Sequence, residues 1–138
     1  MKPLFATIVL ILITHVLLSQ ELSLQTGHTA QINSLKFTSD NLYLISVGND
    51  NRVLMWDLRT LMQMRTLIGH SKKVNSVAVC PTDKIFATAS DDKTVILWQY
   101  PSGKKIKKFY FSKEVKSITF SPDGKTLACG TDSIFFID

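Results

Sequence analysis

GHTAQINSLKFTSDNLYLISVGNDNRVLMW, residues 27–56, returns 42 positions later as GHSKKVNSVAVCPTDKIFATASDDKTVILW, residues 69–98. Gly27-His28 matches Gly69-His70, Asn33-Ser34 matches Asn75-Ser76, and Asp50, Val53 and Trp56 match Asp92, Val95 and Trp98. A shared register with a period in the forties marks a chain built from copies of one supersecondary unit. The function of such a chain lies on the surface that the copies make together.

Within each copy the apolar residues alternate, which is the period of a strand and not of a helix. Ile32, Leu35 and Phe37 open the first unit, Leu42 to Ile45 and Val53 to Trp56 continue it, and Met62 to Leu67 close it. Between them lie turn residues: Thr38-Ser39-Asp40-Asn41, Gly48-Asn49-Asp50-Asn51 and Asp57-Leu58-Arg59-Thr60. The second unit repeats this with Val74 to Val79, Ile85 to Ala89, Val95 to Trp98 and Ile106 to Phe111. Short strands with turn chemistry every eight to twelve positions predict an all-β antiparallel unit of four strands. A third, weaker unit runs from Val115 through Ser121-Pro122-Asp123-Gly124 to Asp138, without a Gly-His pair, without tryptophan, and two residues shorter in its inner turn.

These residues carry a resemblance. Gly-His, a Ser-Pro-Asp-Gly-like turn, then a Ser or Thr four positions before an Asp and a Trp six beyond it, resemble WD-repeat sequence over residues 21 to 138. The resemblance implies four-stranded blades around an axis, a partial β-propeller of about three blades plus one N-terminal strand at Glu21 to Gln25. Blade one spans about 28–68, blade two about 70–111, and blade three, incomplete, about 113–138. It also implies a structural hydrogen-bond network of His28, Ser46, Asp50 and Trp56, repeated as His70, Thr88, Asp92 and Trp98. The logic holds on chemical grounds, since buried polar groups are tolerated when each finds a partner. In blade three Cys129, Ser133 and Ile137 fall at or near the Ser/Thr, Asp and Trp positions. That turn goes unlocked, and blade-three amides are expected to exchange hydrogen faster than those of blades one and two.

The duplicated His, Asp and Ser/Thr set argues against a hydrolase triad, which needs no second copy one blade away, and no G-x-S-x-G elbow precedes a helix. His28 and His70 have no Cys, His or acidic companion at metal-ligand spacing. No catalytic residue, metal or cofactor is expected. What remains is binding: WD-repeat propellers present loops at one end to peptides and proteins. By position that top face is Gln31, Asn33 and Asn49, then Lys73, Asn75 and Asp91, then Glu114, Lys116 and Asp132. The expected function is a non-enzymatic scaffold for protein or peptide partners. The alternative is a substrate-docking propeller segment of a longer secreted enzyme.

The chain has 138 residues and a formal net charge of +5. Lys104, Lys105, Lys107, Lys108, Lys113 and Lys116 hold much of that excess. As an outermost strand their stretch reads as a lysine-protected edge rather than a nucleic-acid patch, with lipid attachment the remaining reading. Cys80 and Cys129 fit no metal spacing and read as packing residues, a disulfide remaining open. Leu4 to Leu18 is an uncharged apolar run behind Met1-Lys2-Pro3, short of a ~20-residue membrane span and suited to an export leader. Residues 1–19 therefore read as a signal peptide, with a periplasmic or extracellular product, or as an uncleaved tether to a membrane. Three blades are fewer than the typical four to eight of a closed ring. A fragment of a longer product, self-association into a ring, and an open remnant of a longer ancestor all fit.

Overall fold

The computed structural model of the chain describes residues 27–138. The proposed leader (1–19) and the proposed extra strand (Glu21 to Gln25) lie outside the described residues. Eleven strands and no helix make up the described part: β1 (Ile32–Phe37), β2 (Tyr43–Gly48), β3 (Val53–Asp57), β4 (Met62–Leu67), β5 (Val74–Val79), β6 (Ile85–Ser90), β7 (Thr94–Gln99), β8 (Lys104–Tyr110), β9 (Ser117–Phe120), β10 (Leu127–Gly130) and β11 (Ile134–Ile137). They form antiparallel sheets in the orders β1-β2-β3-β4, β5-β6-β7-β8 and β9-β10-β11. These are the two complete blades and the three-stranded third that the repeat predicts.

The sheets repeat in their irregularities as well as their strands. The β1–β2 register slips between Ile32 and Ser34, and β5–β6 slips at the equivalent Val74 and Ser76. The β3–β4 register slips at Met55/Trp56, and β7–β8 at Leu97/Trp98. Such bulges re-aim side chains and increase the local twist of a sheet. Left-handed turn residues recur too: Asn51 (φ 65°) and Lys93 (φ 65°), Leu61 (φ 56°) and Gly103 (φ 74°). The inner turn after β1 is tied by the Thr38 hydroxyl donating to Asp40 (2.7 Å), and the turn after β9 by Ser121 donating to Asp123 (2.6 Å).

Two apolar layers hold the blades together. Tyr43, Ile45, Val47, Val53 and Met55 of blade one pack against Val77, Phe86, Ile96, Trp98 and Tyr100 of blade two. The opposite face of blade two, through Ala78, Ala87, Ala89 and Val95, packs against Ile118, Leu127 and Cys129 of blade three. Blade two is thus covered on both sides, and β6 is buried from Phe86 to Ser90. Its second face is built from alanines, because there the third blade comes close against it.

The remaining face of blade one uses positions equivalent to those that blade two buries. Leu35 is 53% exposed where its counterpart Val77 is 1% exposed. Leu58 and Leu61 stand where Tyr100 and Gly103 stand in the next unit. Among the described residues no other blade covers this face, and only the segment at Gly27-His28 reaches over Leu54, Ser46 and Trp56.

Both cysteines are buried and free. Cys80 takes the turn position of Thr38. Cys129 pairs across the strands with Phe135, as Thr88 pairs with Ile96. Burial pushes its thiol up to about 11, which leaves it protonated and unreactive at neutral pH.

Candidate protein-binding face

Each complete blade is locked at one end by a chain of four side chains. In blade one, His28 Nδ1 lies 2.9 Å from both carboxylate oxygens of Asp50, and Nε2 lies 2.9 Å from Ser46 Oγ. The Trp56 indole N–H donates to the same Ser46 oxygen at 2.8 Å. In blade two, His70 Nδ1 is 3.0 Å from Asp92 and Nε2 is 2.8 Å from Thr88 Oγ1, which accepts from Trp98 at 2.8 Å. The partners set the tautomer: a carboxylate only accepts, so Nδ1 carries the proton and Nε2 accepts the hydroxyl's hydrogen. The hydroxyl then spends its lone pair on the indole, and every polar atom is satisfied.

The Asp closes its own turn in both copies. Asp50 accepts from the backbone N–H groups of Thr29 (2.9 Å) and Arg52 (3.2 Å). Asp92 accepts from those of Ser71 and Thr94, each at 3.0 Å. The glycine before each His is a close-approach position. A Cβ on Gly27 would lie 2.5 Å from Trp56 Cη2, and one on Gly69 2.8 Å from Trp98 Cη2. In the third blade Leu127 pairs with Ile137, as Phe86 pairs with Trp98. An apolar side chain therefore occupies the tryptophan position.

The network sets an acid sensitivity. Burial lowers the pKa of His70 from its ordinary 6.5, outweighing the Asp92 carboxylate that favours its charged form. Burial also pushes Asp50 and Asp92 up, but hydrogen bonds outweigh it and hold both carboxyls below 3.8: from His28, Thr29 and Arg52 onto Asp50, and from Thr94, Ser71 and His70 onto Asp92. A depressed His binds its proton more readily when unfolded, so stability falls as pH drops below 6.5. The depressed carboxyls add stability above 3.8 that is lost as pH falls through their folded values. Thermal midpoints are therefore expected to decline below pH 6.5 and to drop again below pH 4. A midpoint flat between pH 7 and pH 4 contradicts this.

The residues expected on the top face fall into two groups. Asn33 Nδ2 donates to Asn49 Oδ1 and to the Val74 carbonyl of the next blade, both at 2.8 Å. Asn75 repeats this onto Asp91 Oδ1 (2.7 Å) and the Val115 carbonyl (2.8 Å). Each amide thus clasps its blade to the next, a role that sequence position did not reveal. The signal was present in the repeat itself, since Asn33 and Asn75 share one register.

Around Asp91 the structure gathers five of the nine residues. Lys73 Nζ is 3.3 Å and Lys116 Nζ 2.6 Å from its carboxylate, and Lys116 also meets Glu114 at 2.5 Å. Burial pushes Asp91 up, but bonds from Lys116, Asn75 and Lys73 outweigh it and hold the carboxyl below its ordinary range. The lysine side chains remain about half exposed, 46% for Lys73 and 52% for Lys116. Gln31 contributes its backbone carbonyl to Asn49 N–H, and Asp132 accepts from its neighbour Thr131. Neither joins the cluster. The result is a charge-balanced polar surface at the junction of blades two and three, with hydrogen-bonding capacity left on two ammonium groups.

The sequence matches the WD domain, G-beta repeat family over residues 19–57, 61–99 and 103–137. It is 35% identical over 109 residues to eukaryotic translation initiation factor 3 subunit I of Aspergillus fumigatus, covering 79% of this chain and 32% of that protein. The same subunit of Aspergillus oryzae is 36% identical over 109 residues (79% and 32%). That of Neurospora crassa is 32% identical over 104 residues (75% and 30%). The chain spans about a third of the length of these relatives. They overturn the expectation of export to a periplasm or extracellular space, because they are subunits of a eukaryotic translation initiation factor. The secreted setting of the enzyme alternative falls with it.

Proposed function

Since this chain belongs to the WD domain, G-beta repeat family, we propose that it is a non-enzymatic scaffold that binds protein subunits of a translation initiation assembly. The observation that carries this reading is its likeness, over 109 residues, to a subunit of eukaryotic initiation factor 3. The binding surface we assign is the top face, centred on Lys73, Asp91, Glu114 and Lys116, with Gln31, Asn49 and Asp132 at its margins. Asn33 and Asn75 support it by bonding each blade to the carbonyl of the next. Half-exposed ammonium groups already oriented by a buried carboxylate lose little freedom when a partner's carboxylate or carbonyl arrives. A mixed-charge surface selects partners by complementarity more than by bulk affinity.

Immobilised chain incubated with the other purified subunits of initiation factor 3 is the test. At least one subunit should be retained. Lys73→Ala with Lys116→Ala should weaken retention by about tenfold, the loss expected when central contacts are removed from an interface. Far-UV circular dichroism should stay unchanged. Retention of no subunit sinks the proposal, and undiminished retention by the double variant sinks the assignment of the face.

A further inference from the structure

The lysines of β8 are not explained by the fold. β8 is the last strand of its sheet, pairing only with β7 among the described residues. It holds Lys104, Lys105, Lys107 and Lys108, and among the described residues no carboxylate forms an ion pair with any of them. Lysines on an edge strand commonly deter unwanted pairing. The molecule contains its own control for that role. β4 takes the same place in blade one, with Met62 58% and Met64 41% exposed. Its one cation is Arg65, whose Nε donates to the Pro101 carbonyl at 2.8 Å. An outer strand of this repeat therefore does without lysines, and four on β8 exceed what edge protection requires.

Their geometry is set in advance. Lys105 Nζ sits 5.6 Å from the ring centre of Trp98, and Lys107 Nζ 4.8 Å from that of Phe109. Lys108 Nζ donates to the Gly69 carbonyl at 3.4 Å and lies 5.6 Å from the Tyr110 ring. Trp98 faces blade one and Phe109 faces blade three, so ammonium groups flank the strand on both sides. The register slip at Leu97/Trp98 leaves Ile106 outside the ladder and 47% exposed.

We propose that β8 is a docking edge for an acidic, extended segment of a protein partner, which joins blade two as a fifth strand. This rests on the scaffold reading above and names a second surface for it. The free edge supplies main-chain donors and acceptors at strand spacing, the feature by which peptides add to sheets. Carboxylates alternating along the added strand share one of its faces and meet the lysines on that side of β8, either Lys105 and Lys108 toward blade one or Lys104 and Lys107 toward blade three, and Ile106 offers an apolar contact. A nucleic acid fits less well, because single-stranded binding uses a series of open aromatic faces as stacking platforms, and here Trp98 is buried, the Lys107 ammonium lies over Phe109, and Tyr110 alone of the three rings is well exposed.

The probe is a blocked octapeptide alternating Glu and Val, with a Lys-Val octapeptide as control, titrated into the full chain at low salt. The Glu-Val peptide should bind and slow hydrogen exchange at β8 amides, and the Lys-Val peptide should not. Replacing Lys104, Lys105, Lys107 and Lys108 by Gln should weaken binding by about tenfold, and replacing Lys104 and Lys107 alone, which spares the contacts to Trp98 and Gly69, by about threefold. Replacing Lys36, Lys72, Lys113 and Lys125 by Gln removes equal charge elsewhere and should leave binding unchanged. Equal loss in this control, protection away from β8, or lysine-dependent binding of a uridine decamer or phosphatidylserine vesicles without the peptide would each overturn the proposal. If the β8 variants retain initiation-factor subunits and the peptide as well as the unaltered chain does, the scaffold reading stands and this inference fails.

Discussion

Trp98→Ala should destabilise the chain more than any other single truncation of the repeat network, by about 3–5 kcal/mol. Three separate losses combine. Trp98 is 2% exposed, so its removal leaves a cavity the size of an indole between blades one and two. Its ring lies stacked near Phe86, 6.3 Å between centres at 15°, and Phe86 in turn touches Tyr100. Its N–H also satisfies Thr88. A chain of this size should melt roughly 15 °C lower for such a loss. Trp56→Ala is the internal comparison. Trp56 makes the same hydrogen bond to Ser46, but it lies half-buried on the face of blade one that no other blade covers. Its truncation should cost about half as much, because less surface is taken from water on folding. Chemical denaturation of the two variants side by side decides the matter. Equal losses would mean that the blade interface adds nothing to the second tryptophan.

Thr88→Val is the second large effect, and it separates hydrogen bonding from packing. Valine nearly conserves the volume, so no cavity forms. The hydroxyl it removes serves two buried partners, His70 Nε2 and Trp98 Nε1. Each buried group left without a partner costs about 1–3 kcal/mol, so the expected loss is about 2–4 kcal/mol. Thr88→Ser keeps the hydroxyl and should recover most of it. A double-mutant cycle with Trp98→Phe should show strong coupling, since both changes break one chain of bonds. Loss of less than about 0.5 kcal/mol in Thr88→Val would show that the network is decoration on an apolar core. Blade three offers nature's version of the same replacement. Cys129 and Ile137 stand at the hydroxyl and indole positions, so neither an indole N–H nor a hydroxyl is left there without a partner, only the weakly donating thiol.

The unit itself was legible in the sequence. Strand alternation and turn residues place the four strands and their inner turns, and the WD-repeat resemblance, set on the 42-residue register, implies the network of His28, Ser46, Asp50 and Trp56 with its second copy. Strand pairing accounts for the bond from Trp56 to Ser46, whereas His28 and Asp50 reach it from the segment before β1 and the turn after β2. The top face was legible only as a list of positions. Lys73, Asp91 and Lys116 meet across a blade junction, and nothing in a single repeat states how near the next blade comes. The basic stretch at Lys104 to Lys108 was legible as an outer strand, but its contrast with β4 emerges only when both strands are seen at equivalent edges. The apolar run Leu4 to Leu18 misled on location, because hydropathy reports how a segment partitions and not where the protein works. Likeness to the initiation-factor subunit corrected it.

By itself the sequence determined the copy: an antiparallel blade repeated in register, and a third copy with apolar residues at its Ser/Thr and Trp positions, the locking network being what the WD-repeat resemblance implied. Tertiary structure alone decided what each copy's faces do. The same strand positions are buried at Val77 and exposed at Leu35, and the same amide position becomes a clasp because a Val74 or Val115 carbonyl lies within reach. The physical reason is that periodicity encodes interactions within a unit. Burial, desolvation and blade-to-blade bonding depend on the distance and angle of the neighbouring unit, which only the packed molecule specifies.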